Sequence, residues 1–203
     1  MIDTLYYING CPGARAVRLF LKYKKLNVNE VLIDFKKGEH MTDDFLKLNP
    51  MHTVPTIKLN DGSGMYESRL ILKYLNGEDN NNLEIDKWLF WDLGFLNTNV
   101  GKVIYPRLFM NSEPNKKDID RLVEKLDHLN NHLEKNIFLV NNTISIADLS
   151  SAMLVHNSQI RSDLVNINNY PNILKWLNNV KKQFSNEDWD EVMNPFFNWK
   201  NSL

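Results

Sequence analysis

Asn49-Pro50-Met51-His52-Thr53-Val54-Pro55-Thr56-Ile57, followed ten residues later by Glu67-Ser68-Arg69, is the part of this chain whose reading decides the fold. The first segment leaves a helix, crosses a loop and enters an apolar strand through a Val-Pro step. A proline after a β-branched residue at such an entrance is a place where a cis peptide bond and a ligand-facing backbone often coincide. The second segment sets a carboxylate, a hydroxyl and a basic side chain where a strand gives way to a helix. Free N–H groups at a helix start suit a carboxylate, and Glu67 suits an ammonium group. Together the two segments read as a clamp for a small zwitterionic peptide.

Outward from this clamp, the pattern predicts an α/β unit over residues 1–76. Leu5 to Ile8 reads as a strand that breaks at Asn9-Gly10. Pro12 then stands at a first helical position, with Ala16, Val17, Phe20 and Leu21 as its apolar stripe. Val31, Ile33 and Phe35 alternate through a second strand over 30–35, and Thr42-Asp43-Asp44 opens a short helix to Leu48. Val54 to Leu59 and Met65-Tyr66 give the third and fourth strands, and Glu67 to Leu75 a helix. Residues 77–82 are polar, contain Gly77 and carry no apolar period, which predicts a linker. Beyond it, residues 83–203 read as all-helical, with helices over 83–110, 116–134, 145–159 and 171–184 and only a brief strand-like run from Ile137 to Val140. Ser145 and Asp148 form a capping-box pattern with a folding role.

The 203 residues carry 24 basic and 25 acidic side chains, a formal net charge of -1. That balance lacks the basic stripe of a nucleic-acid or membrane-surface binder. A single cysteine, Cys11, permits no intrachain disulfide and fits a reducing compartment. Met1-Ile2-Asp3-Thr4 and the short run after it do not read as a signal peptide, and no stretch approaches the length of a membrane span. The expectation is a cytoplasmic protein.

The Val54-Pro55 step, the Glu67-Ser68-Arg69 turn, the Ser145-to-Asp148 box and the domain order, taken together, resemble the cytosolic glutathione transferases over essentially the whole chain. Lys37-Gly38-Glu39-His40 and the 49–55 segment are most similar to the theta and delta-epsilon branches. The resemblance implies a thioredoxin-like first domain, an all-helical second domain and a cytoplasmic homodimer that serves in detoxification. Glutathione is implied as co-substrate, with no metal. Val54 would pair its backbone with the cysteinyl part of glutathione beside Thr53 and a cis Pro55. Glu67 and Ser68 would hold the γ-glutamyl end, with Arg69 assisting or pairing across a dimer interface. His40 and His52 would approach the glycyl carboxylate. A hydrophobic second substrate would lie against the long helix after the linker, with Tyr105 and Phe109, near Arg107 and Met110, as its wall. His128 and His132, one turn apart with Glu124 nearby, have metal-like spacing that nothing else in the chain supports.

The catalytic position has two alignments. Matched through Arg15-Ala16-Val17, Cys11 stands where theta and delta relatives carry a serine that donates to the glutathione sulfur. A thiol is a poorer donor than that hydroxyl, and a helix start lowers a cysteine pKa; a thiolate there would instead attack a glutathione disulfide and form a mixed disulfide. Omega-type relatives work that way and share the Cys11-Pro12 pair. Matched instead through Tyr7-Ile8-Asn9-Gly10, the chain resembles sigma-type relatives and Tyr7 becomes the donor. Three functions follow: conjugation of glutathione to hydrophobic electrophiles, thiol transfer through Cys11, or a non-catalytic assembly module on the same fold.

Overall fold

The computed structural model describes residues 2–77 and 82–203, which fall into two compact units. Most of the expected linker, residues 78–81, lies outside the described residues. The first unit takes residues up to 77 together with 184–203, and the second takes 82–183.

The first unit is built on a mixed four-stranded sheet of β1 (Ile2–Tyr7), β2 (Asn29–Leu32), β3 (Thr56–Leu59) and β4 (Gly64–Tyr66) in the order β2-β1-β3-β4. β1 runs parallel to β2 and antiparallel to β3, and β4 pairs antiparallel to β3. The β1-to-β2 crossover is α1 (Pro12–Tyr23), with proline in its first turn, where a missing N–H costs nothing. α2 (Asp43–Leu48) and α3 (Ser68–Asn76) complete the α/β part. Leu5 and Ile57 of the sheet, Val17 and Phe20 of α1, and Ile71 and Leu72 of α3 are closed to solvent.

The second strand ends earlier than its alternation predicts. The Asp34 carboxylate accepts from the backbone N–H groups of Lys36 and Lys37, which turns the chain into a 3-10 turn over Phe35–Lys37.

In the second unit, α4 (Leu83–Trp91) and α5 (Thr98–Phe109) are joined by a π-helical stretch over Asp92–Asn97, within the span predicted as one long helix. α6 (Lys116–Leu133), α7 (Ile146–Ser158) and α8 (Pro171–Lys181) follow. Every residue of α7 is buried, as befits a central helix. Its Asp148 accepts from the N–H and hydroxyl of Ser145, the N–H of Leu139 and the indole N–H of Trp176, so the box serves folding. The run Ile137 to Val140 is no strand: Leu139 gives its N–H to Asp148 instead of to a sheet. No described helix is long and apolar enough to cross a membrane.

The last helix, α9 (Asn186–Asn201), belongs to the first unit. Its N-cap Ser185 bonds Asp188, and Trp189, Val192, Met193 and Phe196 are buried at the i, i+3, i+4, i+7 spacing of one face. The individual helices predicted from the sequence stop at residue 184, and this one continues through Pro195 beyond them.

Candidate functional site

The site is assembled where the loop before β3, the start of α1 and the start of α3 meet. The Val54-Pro55 bond is cis, as expected. Asn49, fully buried at the end of α2, organises the loop ahead of it. Its amide nitrogen serves the Thr53 carbonyl (3.0 Å), the Thr53 hydroxyl (3.1 Å) and the Thr56 hydroxyl (2.8 Å), and its oxygen accepts from the Met51 N–H (2.9 Å). His52 and Thr53 are exposed on this loop, and Pro55 is buried beneath it. His52 adopts φ 46, a conformation that costs a β-carbon residue free energy and marks a constrained turn.

The imidazole of His40 stacks on Phe35 with ring centroids 4.1 Å apart and lies 6.1 Å from that of His52. Its Nδ1 is buried with no hydrogen-bond partner, an arrangement that calls for a ligand or water.

Cys11 is the N-cap residue of α1, half-buried, and its Sγ–H donates to the Val54 carbonyl at 3.2 Å. Gly13, two residues on, is where α1 touches α3. A β-carbon there would lie 2.7 Å from Ser68 Oγ and 3.4 Å from Pro55 Cδ, so only glycine lets these elements close. Burial pushes the Cys11 thiol up, against the downward pull of the Ala14 N–H, the Arg15 charge, the Gly13 N–H and the Arg69 charge. This corrects the expectation of a depressed thiol: the helix-start effects are present, and desolvation outweighs them.

Glu67 occupies the N-cap position of α3 with φ 73 and ψ 103, yet its side chain makes no capping bond, and the residue is exposed. Ser68 is buried and accepts from Arg69 Nη1 at 3.4 Å. The carboxylate is therefore presented outward and not used to close its own helix.

Two comparisons bear on this geometry. The family model described as Glutathione S-transferase, N-terminal domain matches residues 10–78, and that described as Glutathione S-transferase, C-terminal domain matches 101–185, together most of the chain. Among solved structures, a delta-class glutathione transferase from Nilaparvata lugens is 29% identical with TM-score 0.86, covering 98% of each chain. A Bombyx mori glutathione transferase is 27% identical with TM-score 0.88, covering 98% of this chain and 96% of its own. A Drosophila melanogaster glutathione S-transferase, isozyme E7, is 25% identical with TM-score 0.84, over 98% and 94%. The chain belongs to the glutathione transferase family.

Set in that family, the sequence-predicted residues separate into groups. Cys11, Val54, Pro55, Ser68 and Arg69 are brought together with Gly13, while His40 and His52 neighbour each other beside Phe35. Tyr7 is placed differently: the Arg18 guanidinium lies 4.3 Å from its ring centroid, and both line a cavity of about 500 Å³ with Lys22, Glu30 and Glu191. Arg18 is 4% exposed there and bonds Glu30 at 2.5 Å. Tyr105 and Phe109, in the second unit, pair with ring centroids 5.5 Å apart and are 45% and 74% exposed, so neither is core. His128 and His132 pack against Trp88, and His128 also against Trp91, while His132 Nε2 meets the Leu139 carbonyl at 3.0 Å.

Sequence reasoning missed Asn49, Gly13 and Phe35. Asn49 and Gly13 had a readable signal, an Asn ahead of a Pro-containing loop and a glycine in the first turn of a helix, but both acquire meaning only from what they touch.

Proposed function

We propose that this chain binds glutathione in the first unit and conjugates its thiol to hydrophobic electrophiles as a cytoplasmic homodimer. The observation that carries the reading is Cys11 Sγ held at 3.2 Å from the Val54 carbonyl, beside the cis Pro55. The carbonyl has two lone pairs, so one is open to the cysteinyl N–H of a bound peptide, and the single Cys11 hydrogen can turn from the other toward a sulfur placed beside it. Glu67, its carboxylate free of any capping bond, receives the γ-glutamyl ammonium, and Ser68 and Arg69 hold the carboxylate next to it. His40 and His52 take the glycyl carboxylate, which gives the orphan Nδ1 of His40 a role. Fixing the tripeptide at both ends orients its sulfur toward a reacting partner.

Burial favours conjugation over thiol transfer. A thiol whose pKa is raised stays protonated near neutral pH and can donate to the glutathione thiolate, although as a weak donor. A covalent mixed disulfide needs the Cys11 thiolate, which burial disfavours. Exposed apolar side chains on α3, Leu70 and Tyr74, support a second copy of the chain as a partner. Tyr105 and Phe109 remain the candidates for the electrophile wall.

The test pairs two measurements on the purified protein. The first is turnover of glutathione with an aryl halide, in the parent and in Glu67→Ala. The second is intact mass after incubation with oxidised glutathione. Turnover, with affinity for glutathione falling roughly 10- to 100-fold in Glu67→Ala from the loss of one charge-assisted bond, supports the reading. Unchanged affinity in that variant sinks the site. A rapid, stoichiometric, reductant-reversible glutathione adduct moves thiol transfer ahead of conjugation.

A further inference from the structure

We propose that α9 acts on the sulfur site through Arg15, whose guanidinium Phe196 pins one helical turn beyond Cys11 as a fixed positive charge. Arg15 and Phe196 are both fully closed to solvent, and the guanidinium carbon sits 3.6 Å from the Phe196 ring centroid. A desolvated guanidinium is expensive, and a ring face at this distance is one of the few apolar surfaces that stabilises it. Cys11 and Arg15 stand four residues apart, with the Arg15 N–H on the Cys11 carbonyl at 3.2 Å, so they share one face of the first turn. α9 also reaches the residue before Cys11: a β-carbon on Gly10 would lie 3.3 Å from the Trp199 ring. The C-terminal helix thus backs the approach to Cys11 at two points.

The charged groups acting on the thiol are Arg15 from its own helix and Arg69 from α3. The loop before β3 offers the Val54 carbonyl, and α9 offers aromatic rings to this region; of its carboxylates Glu187, Asp188, Asp190 and Glu191, Glu191 is engaged with Arg18 and Lys22 and Asp188 with Ser185. Burial lowers the Arg15 pKa to about 9, which still leaves a cation at neutral pH. A cation there favours a thiolate, and so opposes the rise that burial imposes on Cys11. The same fixed charge stabilises negative charge on any sulfur at this position without reorganising. Arg15 and Phe196 are therefore positioning residues. Their meaning for catalysis rests on the reading that Cys11 faces the glutathione sulfur.

Cys11 is the single cysteine, so its alkylation by iodoacetamide reports one thiol. The rate is measured against pH in the parent, Phe196→Leu, Arg15→Met and Arg15→Lys, each checked for folding by circular dichroism. The expected result is a pH midpoint moved up in Phe196→Leu and Arg15→Met, with the rate at pH 8 falling about three- to tenfold, and a smaller shift in Arg15→Lys. Loosening of the helix alone moves the midpoint the other way, because entering water relieves the burial that raises it. A midpoint that is unchanged or lowered in a folded Phe196→Leu protein overturns the proposal, even where Arg15→Met fails to fold. Protection of Cys11 by S-methylglutathione tests the site reading separately. Its absence, with the midpoint shifts intact, overturns that reading and leaves the electrostatic coupling standing.

Discussion

Replacing Asn49 by alanine removes the side chain on which the loop before β3 hangs. Its two amide hydrogens serve three oxygens, and its oxygen holds the Met51 N–H. The Thr53 carbonyl keeps the Thr56 hydroxyl as a donor at 2.8 Å, and the exposed Met51 can turn to water. Thr56, fully buried, has no such recourse and loses the donor to its oxygen. Two to three neutral hydrogen bonds at about 1 kcal/mol each, plus the void left by the amide, come to about 2–4 kcal/mol. In a chain of this size that lowers the melting temperature by roughly 5–15 °C. The loop carries His52, Thr53 and Val54, so glutathione affinity should fall at least about tenfold, beyond any loss explained by unfolded protein. Thermal melts with calorimetric titration of glutathione at a temperature where the variant is fully folded separate the two effects. A loss below about 1 kcal/mol with parent-like affinity would refute the account of Asn49 as the organiser of this loop.

Gly13→Ala drives a β-carbon to within 2.7–2.8 Å of Ser68, against a buried residue that has no room to retreat. The cost should be about 1–3 kcal/mol in chemical denaturation, whereas an equivalent change at the open Gly94 should lack that clash. Glu67→Gly should stabilise the protein by about 1 kcal/mol by relieving a positive φ, while glutathione binding falls; a destabilised variant with normal binding contradicts both halves. The raised Cys11 thiol sets the sign of a pH effect. The stability it contributes is present below the unfolded thiol value of about 8.5 and is lost as pH rises through the folded one, so Cys11→Ser should flatten the alkaline slope of stability.

Helix and strand periods, the Val54-Pro55 step and the capping pattern at Ser145 were legible because each is local: a few neighbouring residues determine it. Cys11 shows where that stops. The Gly13 and Ala14 N–H groups and the Arg15 charge lie within four residues and are readable, but the Arg69 charge and the burial that overrides them all come from other elements closing over it. Asn49 looks like any of the many asparagines of this chain until three oxygens converge on its amide. Tyr105 and Phe109, expected as a substrate wall, do lie on an exposed face, although a four-residue aromatic spacing alone reads equally as core. The spacing in α9 was present too, from Trp189 to Phe196, yet a pattern cannot say which surface a helix will cover. The destination of that helix is a tertiary fact.

Glu67 and His52 carry the strongest physical hint that these loops exist to present side chains. Both sit at positive φ, where glycine is comfortable and a β-carbon is not, and each such residue costs on the order of 1–3 kcal/mol. The same unit uses glycine at two other turns, Gly38 and Gly62, with φ values of 72 and 87, while Lys25 (φ 53), just after α1, shows that a β-carbon at positive φ is by itself only a hint. Glycine would therefore be the cheaper residue at 52 and 67 if backbone shape were the sole requirement. Glu67 does not recover the cost by capping α3, and His52 is exposed and gains no burial. What the two positions retain is an imidazole and a carboxylate, one on the loop before the cis bond and the other at the helix start after β4. Opposite charge preferences on these two elements suit a ligand with a carboxylate at one end and an ammonium at the other. A tripeptide with a free amino end and a free carboxyl end meets that requirement, which is the physical reason to read this first unit as a peptide clamp before any relative is considered.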